Sequence, residues 1–189
     1  MEQIDPRKLL VKIARLLEKL KIRYAVTGGM AVFVWGRPRF TADIDIVIQL
    51  RSEDVNSLAS SLGKVSKAAY IDVAMMRDAL TRHGEFNFID GASGIKVDFW
   101  VLKENDFSKS QIKRRIPKTV LGKKVFFVSP EDLILNKFLW HKEGESSKQA
   151  EDITTIIKFQ KKLDWKYLNK WAEAHSTLNI LKNFVRKNE

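Results

Sequence analysis

The sequence contains no cysteine, which removes disulfides and thiolate metal sites and suits a reducing compartment. Its only histidines, His83, His141 and His175, are scattered without metal-ligand spacing, so an imidazole metal centre has no framework. No apolar run reaches the length of a membrane span, and Met1-Glu2-Gln3-Ile4-Asp5-Pro6 lacks the basic and apolar regions of a secretory leader. Internal repeats and low-complexity tracts are also lacking. These absences lead to the expectation of a soluble, cytoplasmic protein with no membrane partner.

What is present is a chain of 189 residues, 44% apolar, with a formal charge of +11. The charge is uneven: 16 basic and 14 acidic residues stand up to position 108, against 18 and 9 from 109 onward. A basic half invites a polyanion such as RNA, because released counterions drive binding to phosphates, although a lysine-rich solvated face has the same composition.

Asp5-Pro6 reads as a helix cap, with Leu9, Leu10, Ile13, Leu16, Leu17 and Leu20 at helical spacing over residues 6–20. A strand over 23–27 and a helix from Gly28 to Trp35 follow, then a loop carrying Arg37 and Arg39, and a strand from Thr41 to Leu50. Helices are expected near 52–62 and 72–81. Strands at 85–89 and 95–102 are joined by a glycine-containing turn, and a basic helix over 109–115 precedes a small hairpin over 119–128. Ser129-Pro130-Glu131-Asp132 is a helix start with hydroxyl, proline and carboxylate in capping order. Four helices are expected from there on, at 129–142, 147–162, 164–175 and 177–187. Trp140, Trp165 and Trp171 fall at helical spacings among Leu and Phe and read as core.

The chemistry is concentrated in Asp43-Ile44-Asp45-Ile46-Val47-Ile48. Side chains at i and i+2 of a strand share a face, so the two carboxylates project together with Cα atoms about 6–7 Å apart. Uncompensated, they repel by roughly 2–3 kcal/mol at an effective dielectric near 20. A divalent cation such as Mg²⁺, which takes carboxylate oxygens with water and substrate phosphate, would offset this. Asp98, on the Lys96-Asp98-Trp100 face of a later strand, is the candidate third carboxylate. The alternatives are an exposed edge strand with solvated acids, or ion pairs to Arg37 and Arg39. Gly28 and Gly29 end one strand and open a helix, a place where backbone N–H groups can approach phosphate.

Gly28-Gly29, then Thr41-x-Asp43-x-Asp45, then Asp98 resemble the signature of the polymerase-β nucleotidyltransferase superfamily. The resemblance is closest to the stand-alone bacterial and archaeal nucleotidyltransferases that include abortive-infection toxins and minimal nucleotidyltransferase antitoxins. Arg39 and Thr41 stand where that group leads into its acidic pair. Ser129-Pro130-Glu131-Asp132-Leu133 with Lys137, then Asp152, is similar to its helical part, and the likeness covers roughly residues 22–160. Gly29 departs from the many members with serine there, so a backbone N–H would replace a hydroxyl contact.

The resemblance implies an α+β fold: a small, mixed, twisted sheet flanked by helices as a core over residues 1–128, with a helical C-terminal extension over 129–189 packed on it as one structural unit. It implies Mg²⁺-dependent transfer of NMP from an NTP to an acceptor hydroxyl, with two ions and with Mn²⁺ as a substitute. Asp43, Asp45 and Asp98 would be metal ligands and catalytic residues, Asp98 taking the hydroxyl proton. Gly28, Gly29, Arg39, Thr41 and Lys137 would bind nucleotide phosphates, and Asp152 would support Lys137. RNA, tRNA included, is the expected acceptor, with a toxin-like role. The alternatives are an antitoxin that adenylylates a partner toxin and a catalytically silent module that binds a partner.

Overall fold

The computed structural model describes residues 5–38, 41, 43–144 and 147–186. The chain divides into two units, Met1–Met30 with Phe40–Phe127, and Ala31–Arg39 with Val128–Glu189.

The first unit is built on a seven-stranded mixed sheet. Its strands are β1 (Arg23–Val26), β2 (Ile44–Gln49), β3 (Tyr70–Ile71), β4 (Glu85–Ile89), β5 (Lys96–Val101), β6 (Ile116–Val120) and β7 (Lys123–Phe127). They lie in the order β3-β4-β5-β2-β1-β7-β6. β2 runs parallel to β5, and β1 parallel to β7; the other neighbours are antiparallel. The sheet also holds a strand that periodicity did not indicate, β3, whose two residues are too short to carry an alternation.

Strand alternation sorts the side chains into two faces. On one, Tyr24, Val26, Ile44, Ile46, Ile48, Phe86, Phe88, Val97, Phe99, Val125 and Phe127 are all buried. Phe86 and Phe99, opposite each other across β4 and β5, stack with ring centroids 5.0 Å apart. Burying each such side chain contributes roughly 1.5–3 kcal/mol. Helix α1 (Pro6–Lys19) packs on β1 and β7, with Leu10, Ile13, Ala14 and Leu17 buried. The Asp5 carboxylate accepts from the Arg7 amide at 2.9 Å and caps that helix. Helix α3 (Val55–Gly63), after a short 3₁₀ turn, packs against α1 and α4 (Val73–Arg82), and α4 packs on β4 and β5. Helix α5 (Asp106–Arg114) packs against β1.

Helix α2 (Gly28–Trp35) contains the division between the units, since Met30 is the last residue of the first segment. In the second unit, α6 (Pro130–Gly144) packs on α7 (Ser147–Phe159) and α8 (Trp165–Ala174), and α9 (Leu178–Arg186) on α7 and α8. The Asp132 amide donates to Ser129 Oγ at 3.1 Å, so the expected hydroxyl cap is formed, and the same hydroxyl donates to Asp132 Oδ2 at 2.8 Å. Tyr167 then donates to Asp132 Oδ1 at 2.7 Å and ties α8 to the start of α6. Trp165 departs from the core reading, being 41% exposed at the first position of α8. At a helix start a residue has no preceding turn of its own helix to pack over it.

Candidate active site

The feature that organises the site is the register of β2 and β5. Asp45 is the direct partner of Asp98, as Ile46 is of Phe99 and Val47 of Trp100. Paired residues of adjacent strands project to one side, and strands lie about 4.8 Å apart, so the two carboxylates stand side by side on the face opposite the apolar core. Both are half-buried. They lie 53 positions apart in sequence, yet the parallel pairing makes them neighbours.

Asp43 precedes the strand rather than lying within it, and it is exposed. The expected strand from Thr41 therefore begins three residues late. The Thr41 hydroxyl donates to the Asp43 carbonyl at 3.2 Å, a local bond of the kind that competes with a ladder.

The glycine pair lies against these residues. Gly28 has φ +58°, and a Cβ there would stand 1.8 Å from Asp45 Oδ2, so the turn excludes any side chain and brings backbone directly onto the carboxylate. At Gly29 a Cβ would meet Thr41 Oγ1 at 2.7 Å, so a serine there has no room without movement of Thr41. The Thr27 amide donates to the Asp45 carbonyl at 2.9 Å and fixes the turn to β2. The Thr27 hydroxyl is buried and has no hydrogen-bond partner among the described residues.

Lys96 stands two residues before Asp98, on the same face, with Nζ 2.8 Å from Asp98 Oδ2. That hydrogen bond is the main cause of its raised pKa; partial burial opposes it, and the charges of Asp98, Asp43 and Glu85 add to it. A lysine of the chain thus meets one of these acids, a residue that the sequence placed on the right face without assigning it a partner.

The all-oxygen donor set of Asp43, Asp45 and Asp98 is the chemistry a hard divalent cation takes. Asp45 and Asp98 offer it from neighbouring positions. Among the described residues, however, no three acidic or histidine side chains are grouped closely enough to enclose a metal ion, and Lys96 holds one oxygen of Asp98.

Arg39 lies outside the described residues. Lys137 and Asp152 belong to the second unit, on α6 and α7. The Lys137 side chain is only 2% exposed; its ammonium donates to Asp152 Oδ2 and to Gln149 Oε1, each at 2.8 Å. Asp152 is thus the buried ion-pair partner of Lys137.

A residue missed by sequence reasoning is Asn87. It is the register partner of Asp98 on the other side of β5, so Asp45, Asp98 and Asn87 form one polar row across three strands. The signal was an amide between Phe86 and Phe88, in a strand context where asparagine is depleted.

The chain is similar to several solved nucleotidyltransferases. The antibiotic-resistance factor ANT(2″)-Ia matches with 13% identity and a TM-score of 0.63, over 97% of this chain and 98% of that one. The lincosamide antibiotic adenylyltransferase LnuA matches with 14% identity and a TM-score of 0.53, over 83% and 98%. An antigenic nucleotidyltransferase-like protein from Paracoccidioides brasiliensis matches with 21% identity and a TM-score of 0.53, over 81% and 74%. At such identities the likeness is one of fold, that of these nucleotidyltransferases. No protein of curated function matches the sequence significantly. The family model described as nucleotidyltransferase of unknown function (DUF6036) matches residues 7–188, nearly the whole sequence, and the chain belongs to that family.

Proposed function

We propose that the chain transfers a nucleoside monophosphate from an NTP to a hydroxyl on RNA, using Asp43, Asp45 and Asp98. The observation that carries this reading is the pairing of Asp45 with Asp98 beneath a glycine turn that leaves no space for a side chain. The acceptor oxygen attacks the α-phosphorus, the bond from that phosphorus to the bridging oxygen breaks, and pyrophosphate leaves. Asp98 takes the proton of the attacking hydroxyl. Backbone N–H groups at Gly28 and Gly29, with Thr41 and Arg39, bind the phosphates.

Asp43, Asp45 and Asp98 would hold Mg²⁺, or Mn²⁺ in its place, which would supply neutralisation of charge on the triphosphate and a more acidic acceptor hydroxyl. RNA is favoured by the composition of residues 109–127, which hold seven lysines and arginines and no acid. Two of them, Arg115 and Lys124, flank one ring, at 4.6 and 5.3 Å from the Phe126 centroid. A second reading, a small hydroxylated acceptor, is favoured by the end-to-end match with ANT(2″)-Ia.

The test is incubation with each α-labelled NTP, Mg²⁺, total RNA and lysate protein. Label in RNA is the expected result, label in protein supports the antitoxin-type alternative, and Asp45→Asn or Asp98→Asn should each lower transfer by about 10²–10³-fold, the scale of a lost transition-state contact. Transfer that survives both substitutions overturns the reading.

A further inference from the structure

We propose that Asn87 positions the acceptor hydroxyl beside Asp98, and that the groove along the outer edge of β4 receives the sugar that carries this hydroxyl. The inference rests on the reading of Asp98 as proton acceptor and extends it to the acceptor side of the site.

Asp98 has two neighbours in register, Asp45 on β2 and Asn87 on β4. In an antiparallel pair, facing Cβ atoms are about 4.5–5.5 Å apart, so a hydroxyl within hydrogen-bond reach of the Asp98 carboxylate is also within reach of the Asn87 amide. Asp45 and the glycine turn occupy the β2 side of Asp98. The β4 side is thereby left for the second substrate.

The Asn87 side chain is half-buried and makes no hydrogen bond among the described residues. A carboxamide carries two donors and an acceptor, so one such group can meet both oxygens of a vicinal diol. Lys96, whose register partner on β4 is Ile89, reaches Asp98 from the position two residues before it along β5, and Asn87 itself stays unpaired.

Asn87 also borders a groove of about 370 Å³ that runs along the edge of β4, where Glu85 shares its face and Phe86, with Met75 and Arg82 of α4, closes the groove from the apolar side. That volume is at the lower end of the range for ligand sites, roughly 300–1,000 Å³, and suits one or two sugar rings. β3 pairs with β4 only at Phe88 and Ile89, so among the described residues the stretch from Glu85 to Asn87 has no strand beyond it. Glu85, two residues before Asn87 on the same face, adds a carboxylate that accepts from further hydroxyl or ammonium groups. The shared chemistry is therefore a sugar with a free hydroxyl, from either of two sources: the terminal ribose of an RNA or a free aminosugar.

The experiment uses the full chain with labelled ATP and Mg²⁺, and three probes: a short RNA with a 3′-terminal diol, the same RNA ending in a dideoxyribose, and tobramycin. Label on the diol RNA but not on its dideoxy form assigns the ribose source, and label on tobramycin assigns the free sugar. Asn87→Ala should raise KM for the labelled probe roughly five- to tenfold, the value of one net hydrogen bond, while KM for ATP and the melting temperature stay as in the parent. Asn87→Ser, which restores a hydroxyl, should recover part of the loss. An unchanged acceptor KM in Asn87→Ala, an equal rise in both KM values, or label on none of the probes overturns the inference. If Asp98→Asn abolishes transfer while Asn87→Ala leaves the acceptor KM unaltered, this inference alone fails. If Asp98→Asn leaves transfer intact, the reading beneath it fails.

Discussion

Two lysine–aspartate pairs, one in each unit, have the same length and opposite surroundings. Lys96 and Asp98 meet at 2.8 Å with side chains 42% and 13% exposed; Lys137 and Asp152 meet at 2.8 Å with side chains 2% and 4% exposed. The first pair lies two residues apart on one strand, and the second joins two helices. Water screens the first, so either partner can exchange the other for a ligand at small cost. In the second, each charge has given up hydration and depends on the other. Distance alone thus does not separate a replaceable contact from a structural one; solvent access does.

The largest effect that tests this contrast is expected at the buried pair. Lys137→Met leaves Asp152 without its cation and should cost about 3–5 kcal/mol in urea denaturation, whereas replacing both partners with apolar residues should recover much of that loss. A cost for Lys137→Met below that of an exposed pair would break the comparison.

Acid sharpens it in the second unit. Burial lowers the pKa of His175 from 6.5, and its ring lies 5.9 Å from that of Trp171. The unfolded chain then binds a proton that the folded chain resists, so the stabilising difference is intact above pH 6.5 and is lost as pH falls below it. Urea midpoints measured across that range should decline toward acid, and His175→Gln should flatten the decline.

The smallest effect is expected at the exposed pair. Lys96→Met should change unfolding stability by no more than about 1 kcal/mol, and that difference should shrink further in high salt. A loss as large as that at Lys137 would make both pairs structural.

The acidic site was legible to the extent that it obeys strand geometry. Asp43 and Asp45 announced themselves through apolar neighbours, and Asp98 through an alternation that the burial pattern of β5 repeats. Asn87 was not legible, because a polar residue in alternation also describes any solvent-facing strand position; only the register with Asp98 distinguishes it. Nor was the burial of Lys137, since lysine is the residue least expected inside and its partner lies on another helix. The helices of the second unit were placed closely by caps and spacing: Pro130–Gly144, Ser147–Phe159, Trp165–Ala174 and Leu178–Arg186. The strand β6 begins earlier than expected, at Ile116, because its Pro117 sits on the outermost strand, where a missing N–H leaves no ladder bond unmade.

The parallel pairing of β2 with β5 also bears on how the protein acquires activity during folding. The carboxylates it unites are separated by a helical turn, two helices, and strands β3 and β4, so no local fragment contains the pair proposed to act in transfer. Closing so long a loop is an entropically late event, typical of chains with high contact order. Nucleotidyl transfer should therefore return after helical structure in refolding, making activity a clock for the closure of the sheet.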